Sequence, residues 1–159
     1  MITRRRFLIL LGSGVAAAGG IAAGIAALPG EEASAFPEIV YGEERCAFCG
    51  MQIDDPRFAA AWRTAQGTER HFDDIGCMVA TYRRDRPDGD TRFFVHDYRN
   101  EAWLDGTVAS YLVSPEIKTP MSWAVLAVPD EDAARALPVY ASGTIHAWNS
   151  LLEHLEKKS

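Results

Sequence analysis

The segment Cys46-Ala47-Phe48-Cys49-Gly50-Met51 places two thiols three positions apart. That spacing brings both sulfurs within reach of one metal ion, or of each other. Gly50 lets the backbone turn sharply behind them, and Met51 adds a thioether at the same turn. A third thiol and another thioether stand side by side at Cys77-Met78. Met121, after Thr119-Pro120, supplies one more thioether. Apart from the initiator, every methionine of the chain lies in one of these three places. A soft set of thiolates and thioethers suits Cu(I), and an imidazole from His71 or His96 would complete it.

Each piece also has a plainer reading. Met51, Met78 and Met121 could fill gaps in a core, as methionine often does. Cys77 and Met78 stand at a helix start, where one of them faces the interior. Cys46 and Cys49 could form a structural or redox disulfide in an oxidising compartment. A zinc ribbon wants a second Cys-x-x-Cys, and only Cys77 is available for it. The βαβ context of a thioredoxin-like motif is missing. His146 and His154 fall on the last expected helix and read as surface or core histidines. Asp54, Asp55, Asp73 and Asp74 could form a negative rim that attracts a cation or a basic partner surface; taken singly, they read as helix caps and solvated turns. No Ser/His/Asp set, phosphate loop or supported carboxylate pair is evident, so a hydrolase or a nucleotide enzyme is not expected.

Several elements must position these groups. Phe36 to Arg45 is a lead-in. Phe58 to Ala65 and Glu69 to Phe72 read as strands around a Gln66-Gly67-Thr68 turn. Asp73 or Asp74 caps a helix running to about Arg84. After the break at Arg86 to Asp90, Thr91 to Tyr98 reads as a strand. Ala102 to Val113 is ambiguous. Ser122 to Val128 is strand-like, Pro129 to Ala136 is a polar connection with helical character, and Pro138 to Ala141 is a short strand. Ser142-Gly143-Thr144 opens a helix through Leu155, with Ile145, Trp148, Leu151, Leu152 and Leu155 on one face. The halves run in similar order. The expected fold is α+β: two tandem ββα-type modules, about 46–98 and 119–159, each too small to bury a good core alone and so sharing one.

The chain has 159 residues, 48% of them hydrophobic and 24% charged, which excludes a disordered or multi-span membrane protein. Its net charge is −6, with no basic patch in the body, so nucleic acid is not an expected partner. Three cysteines cannot form a fully paired disulfide framework. Residues 1–35 read as an export signal. Arg4, Arg5 and Arg6 form a positive start, an uncharged apolar run extends from Leu8 to Leu28, and Ala33-Ser34-Ala35 is a cleavage site. Thr3-Arg4-Arg5-Arg6-Phe7-Leu8 resembles the twin-arginine translocation consensus. The apolar run is just long enough to span a bilayer, so an uncleaved membrane tether is the alternative. Either way the body is expected outside the cytoplasm.

Four blocks, taken in order, carry a resemblance: Cys46 to Met51, His71-Phe72-Asp73-Asp74-Ile75-Gly76-Cys77-Met78, Asp97-Tyr98 with Trp103, and Thr119-Pro120-Met121. Over about residues 40–155 the chain resembles the NosL family, the accessory proteins of nitrous-oxide reductase maturation. The resemblance implies a periplasmic, non-enzymatic Cu(I)-binding metallochaperone with a tandem ββα-type fold. Its client would be nitrous-oxide reductase or another copper enzyme, and it would work with other copper-assembly proteins. Carried over residue by residue, the metal site implied is Cys46, Cys49, Met51 and Met121, with His71 or His96 in addition. Family members are usually anchored through an N-terminal Cys, which this chain lacks. Ser122 stands after Thr-Pro-Met where Gly is common. A thiol–disulfide oxidoreductase using Cys46 and Cys49 is the rival reading.

Overall fold

The computed structural model describes residues 36–156; the export-signal expectation lies outside them. The first sheet is four-stranded and antiparallel, in the order β2-β1-β3-β4. Its strands are β1 (Ala60–Arg63), β2 (Glu69–Phe72), β3 (Arg92–His96) and β4 (Trp103–Asp105). β1 is central, with Trp62 opposite Arg70 on one side and Phe93 on the other. Its alanines are buried completely, because a small side chain is what lets neighbouring elements close over a central strand. Trp62 meets Phe72 and Phe93 edge-on, a favoured arrangement for aromatic rings.

Helix α1 (Ile75–Asp85) follows β2 directly. Asp74 caps it by accepting the Gly76 N–H at 2.9 Å, and Arg86 closes it in the left-handed conformation with φ 46°. Its first five residues, Ile75 to Val79, are all buried. A surface helix would bury one stripe; here the whole N-terminal turn is enclosed. One reason is Gly76: a Cβ on it would stand 1.9 Å from Cγ of Trp123, so the indole lies directly on the helix backbone.

The second sheet has the order β6-β5-β7. It comprises β5 (Ser110–Val113), β6 (Val125–Val128) and β7 (Thr144–His146). The ambiguous stretch 102–113 therefore resolves into β4, a turn and β5. The polar connection does hold a short helix, α2 (Glu131–Arg135), capped by Asp130. The end of the chain differs from expectation. Pro138–Ser142 is a turn of 3-10 helix rather than a strand, with Pro138 in its first turn, where a missing N–H costs nothing. The strand comes next, at β7, and helix α3 begins only at Trp148 (Trp148–Glu156). Thr144-Ile145-His146 is recruited because the free edge of β5 offers partners: Tyr111 faces His146 and Leu112 faces Ile145. Gly143 permits the approach, since a Cβ there would come within 2.7 Å of Leu112 and 3.0 Å of the Val113 carbonyl.

The sheets meet where Asp97 continues β3 alongside Ala127 of β6, and the Tyr98 N–H donates to the Ala127 carbonyl at 2.9 Å. One hydrophobic cluster runs through this joint, from Trp62, Phe72 and Met78 to Tyr111, Val125, Trp148 and Leu151. The described residues thus form an α+β fold, with two antiparallel sheets, three α-helices and a core common to both sheets.

Candidate metal centre

The Cys46–Met51 turn is a knuckle, the closed end of a strand-like excursion through residues 42–53. The Cys46 N–H donates to the Met51 carbonyl at 2.8 Å, and the Gly50 N–H returns to the Cys46 carbonyl at 3.0 Å. Gly50 takes φ 75°, the left-handed conformation that a side chain resists. Arg45 pairs with Gln52 behind the turn, and the Arg45 guanidinium donates to the Gly50 carbonyl. The Ala47 N–H donates to the His71 carbonyl at 2.9 Å and so pins the knuckle to β2. One residue past β2 the chain reaches Asp73 and then the first turn of α1, which carries Cys77.

These two pieces of backbone bring four donors together. One ligand atom each from Cys46, Cys49, Asp73 and Cys77 lies within 4.8 Å of all the others. Cys46, Asp73 and Cys77 are buried and Cys49 is half-buried. All three thiols are free. Cys49 Sγ donates to both Asp73 carboxylate oxygens at 3.5 Å.

The sulfurs differ sharply in proton affinity. Cys46 falls from the ordinary thiol value of 9.0 to about 7, chiefly because the Cys77 thiol hydrogen-bonds to it; backbone N–H groups of Cys49 and Asp73 add to this against its burial. Cys77, the donor in that bond, is pushed far up, first by that bond to Cys46 and then by burial. Cys49 is pushed up to about 11 by burial first, with Cys46 and the Asp73 carboxylate adding to it. One thiolate therefore forms readily at Cys46 on the knuckle, where the Cys77 thiol and the backbone N–H groups of Cys49 and Asp73 favour the anion. The other two thiols hold their protons and point them at acceptors.

The expected histidine ligands are occupied elsewhere. His71 Nδ1 bonds Glu44 and His71 Nε2 bonds Glu69 at 2.8 Å. His96 Nδ1 meets the Glu101 carbonyl at 2.7 Å, and Nε2 meets the Tyr41 hydroxyl at 2.8 Å. A carbonyl only accepts, so Nδ1 carries the proton and Nε2 accepts from Tyr41. Burial holds His96 below the ordinary imidazole value, and its ring stacks on Trp103 with centroids 3.7 Å apart.

The methionines divide. Met78 is fully buried and fills the core. Met51 is 46% exposed on the knuckle, beside exposed Phe48. Met121 packs half-buried against the core, and its loop is tied to the thiol cluster through Asp74. One Asp74 oxygen caps α1, while the other accepts the Met121 N–H at 3.1 Å. Ser122 and Ala124 in that loop both take left-handed φ, 60° and 61°. Ser122 thus holds a conformation glycine adopts more easily.

Asp73 and Asp74 are not rim residues, as the sequence suggested they could be. Both are buried, one in the donor cluster and one as a backbone clamp. Asp55 is paired with Arg57 at 2.6 Å. The donor role of Asp73 was missed; Cys77 was recognised as a thiol but had no place in the implied ligand set. Their four-residue separation around a helix cap was the available signal. Three sulfurs and one carboxylate can give a thiolate-rich site for Cu(I), or close a tetrahedron.

The NosL family model matches residues 37–155 of the chain. Among solved structures, the crystal structure of the copper chaperone NosL from Shewanella denitrificans matches with a TM-score of 0.60 at 15% sequence identity. That match covers 72% of this chain and 93% of the other. At such identity the likeness shows a common fold. No curated protein matches the chain.

Proposed function

The chain belongs to the NosL family, and on that premise we propose that it is a copper chaperone that carries Cu(I) at the knuckle and the first turn of α1. The observation that carries the reading is the convergence of Cys46, Cys49, Cys77 and Asp73 within 4.8 Å. Cu(I) is the cargo. It meets a thiolate at Cys46, and its coordination by Cys49 and Cys77 releases their protons to solvent. Capture therefore strengthens as pH rises. Asp73 orients the Cys49 sulfur through its hydrogen bond and adds negative charge to the site. Met51, on the exposed flank, and Met121, on the loop clamped by Asp74, are the thioethers that would keep the ion exchangeable.

In this reading the protein is not an enzyme. Its body works outside the cytoplasm, exported by the twin-arginine route that Thr3 to Leu8 resembles, and its client is nitrous-oxide reductase or another copper enzyme. The two halves are tandem ββα-type modules in this reading: β1, β2 and α1 supply that order within 46–98, and β6, β7 and α3 supply it within 119–159, although β6 and β7 pair through β5, which precedes the second module. Thiol–disulfide exchange is disfavoured by burial: Cys46, the sulfur with thiolate character, is 4% exposed, whereas reactive exchange cysteines are partly open.

The test is anaerobic titration of reduced protein with Cu(I) against a chromophoric chelator. Wild type should outcompete the chelator, and Cys46→Ser with Cys49→Ser should lose that ability. Failure of the reduced wild type to take copper would refute the proposal. Turnover of a dithiol substrate without copper uptake would favour the redox reading.

A further inference from the structure

The donor set at the knuckle is not the one Cu(I) alone would select. Cu(I) prefers thiolates and thioethers, whereas a carboxylate suits a harder ion. Asp73 nevertheless faces the sulfurs, with both of its carboxylate oxygens 3.5 Å from Cys49 Sγ. Zn(II) takes Cys and Asp together, at about 2.3 Å to sulfur and about 2.0–2.2 Å to oxygen, so a tetrahedron around it has edges of about 3.8 Å between sulfurs and about 3.5 Å between sulfur and oxygen. The Cys49–Asp73 edge already has that length. One ligand atom each from Cys46, Cys49, Cys77 and Asp73 lies within 4.8 Å of the others, so closing the remaining edges moves each donor by less than about 1 Å. The surroundings are those of a closed site, with Cys46, Asp73 and Cys77 buried. Backbone N–H groups of Cys49 and Asp73 bond the Cys46 sulfur, and that of Met51 bonds Cys49; such outer hydrogen bonds orient metal ligands. Charge argues the same way. Three thiolates and one carboxylate carry four negative charges, of which Zn(II) leaves two uncompensated and Cu(I) three, and buried charge without a partner is costly. The second Cys-x-x-Cys that a zinc site wants is replaced by Asp73 and Cys77, around the start of α1.

We propose that Cys46, Cys49, Cys77 and Asp73 also form a tetrahedral Zn(II) site, which holds one divalent ion in the absence of copper. Binding exchanges the thiol protons of Cys49 and Cys77 for the metal, with no change of oxidation state. Asp73 ligates Zn(II) but only orients Cys49 for Cu(I), and the thioethers of Met51 and Met121 serve Cu(I) alone. The inference uses the donors of the copper reading and holds without it.

The test titrates the reduced full chain anaerobically with Zn(II) against a chromophoric zinc chelator, and with Co(II) as a spectroscopic stand-in. One Zn(II) should bind per chain, and Co(II) should show the intense visible bands of a tetrahedral ion together with thiolate-to-metal charge transfer. Asp73→Asn keeps an oxygen that accepts from Cys49 but removes the anionic ligand. It should weaken Zn(II) binding by at least about tenfold and Cu(I) binding by less. Met51→Leu with Met121→Leu should leave Zn(II) binding unchanged. A reduced wild type that takes no Zn(II) and gives no tetrahedral Co(II) spectrum would overturn the inference and leave the copper proposal standing. Equal losses for the two metals in Asp73→Asn would overturn it as well. Uptake of Zn(II) without uptake of Cu(I) would support the inference and refute the proposed function instead.

Discussion

Cys77→Ala isolates what the third thiol does for the first. In wild type the Cys77 thiol is the largest cause holding Cys46 at about 7, against an ordinary value of 9.0. Alanine removes the donor and leaves burial and the Asp73 carboxylate to raise Cys46, against two backbone N–H groups that lower it. The Cys46 midpoint should then return to about 9 or higher. At pH 7 the thiolate fraction would fall from about one half to about 1%, roughly fifty-fold. Thiolate absorbance near 240 nm, followed against pH in metal-free reduced protein, reads this without interference from the lost ligand. The sign is fixed: a depressed thiol gives more thiolate as pH rises through its midpoint, so Cu(I) affinity in wild type should climb through pH 7. In the alanine variant the Cys46 contribution to that climb should level off about two pH units later, leaving affinity weaker at pH 7. Cys77→Ser keeps an O–H donor but no sulfur, so it should hold the midpoint near 7 while still weakening copper binding. A midpoint unmoved in Cys77→Ala would refute the reasoning and give the credit to the backbone N–H groups.

Three further outcomes follow from the geometry. Asp74→Ala removes the α1 cap, worth about 1 kcal/mol, and strands the Met121 N–H at a cost of roughly 1–3 kcal/mol; urea unfolding should show a loss of about 2–4 kcal/mol, and a loss below 0.5 on that scale would deny the clamp. Gly76→Ala would drive a methyl to 1.9 Å from the Trp123 ring, so it should lower the melting temperature and change the tryptophan emission; an unaltered spectrum and melt would show that the loop yields freely. Met51→Leu with Met121→Leu keeps volume and apolarity, and should stay folded within about 1.5 kcal/mol while losing at least about tenfold in Cu(I) affinity (~1.4 kcal/mol); unchanged chelator competition would remove the thioethers from the mechanism.

The knuckle was legible in the sequence because its information is local: two cysteines, a glycine that must take a positive φ, and a hydrogen-bonded turn. The same holds for β2 and α1, where the apolar spacing and the Asp74 cap agree. β7 was not legible. Thr144-Ile145-His146 is three residues long and carries helix-compatible spacing into Trp148 and Leu151. What makes it a strand is the vacant edge of β5, more than thirty residues earlier in the chain, and Gly143 seated against Leu112. Within the site, His71 is a candidate ligand by residue type. Its two carboxylate partners come from Glu44 and Glu69, and the Glu44 pairing depends on the knuckle docking on β2. Asp73 was hidden by ordinary expectation, since an aspartate before a helix usually caps it. Here the cap is Asp74, which frees Asp73 to face the sulfurs.

Burial also gives the proposed site a direction. Cys77 is fully enclosed and Cys46 nearly so, Cys49 is half-buried, and Met51 and Phe48 lie open on the knuckle. Asp74 closes the α1 side by fastening the Met121 loop to the helix cap, and Trp123 covers Gly76. Copper carried at this centre would then enter and leave over the Cys49–Met51 flank. Along that path the donors run from an exposed thioether, through a thiol that must lose its proton, to a thiolate already formed. Such an order lets a weak ligand admit the ion and a strong one hold it. A partner able to reverse the order must bring its own donors to the knuckle, since Cys46 and Cys77 cannot reach out of the core without unpinning Ala47 from His71 or breaking the first turn of α1.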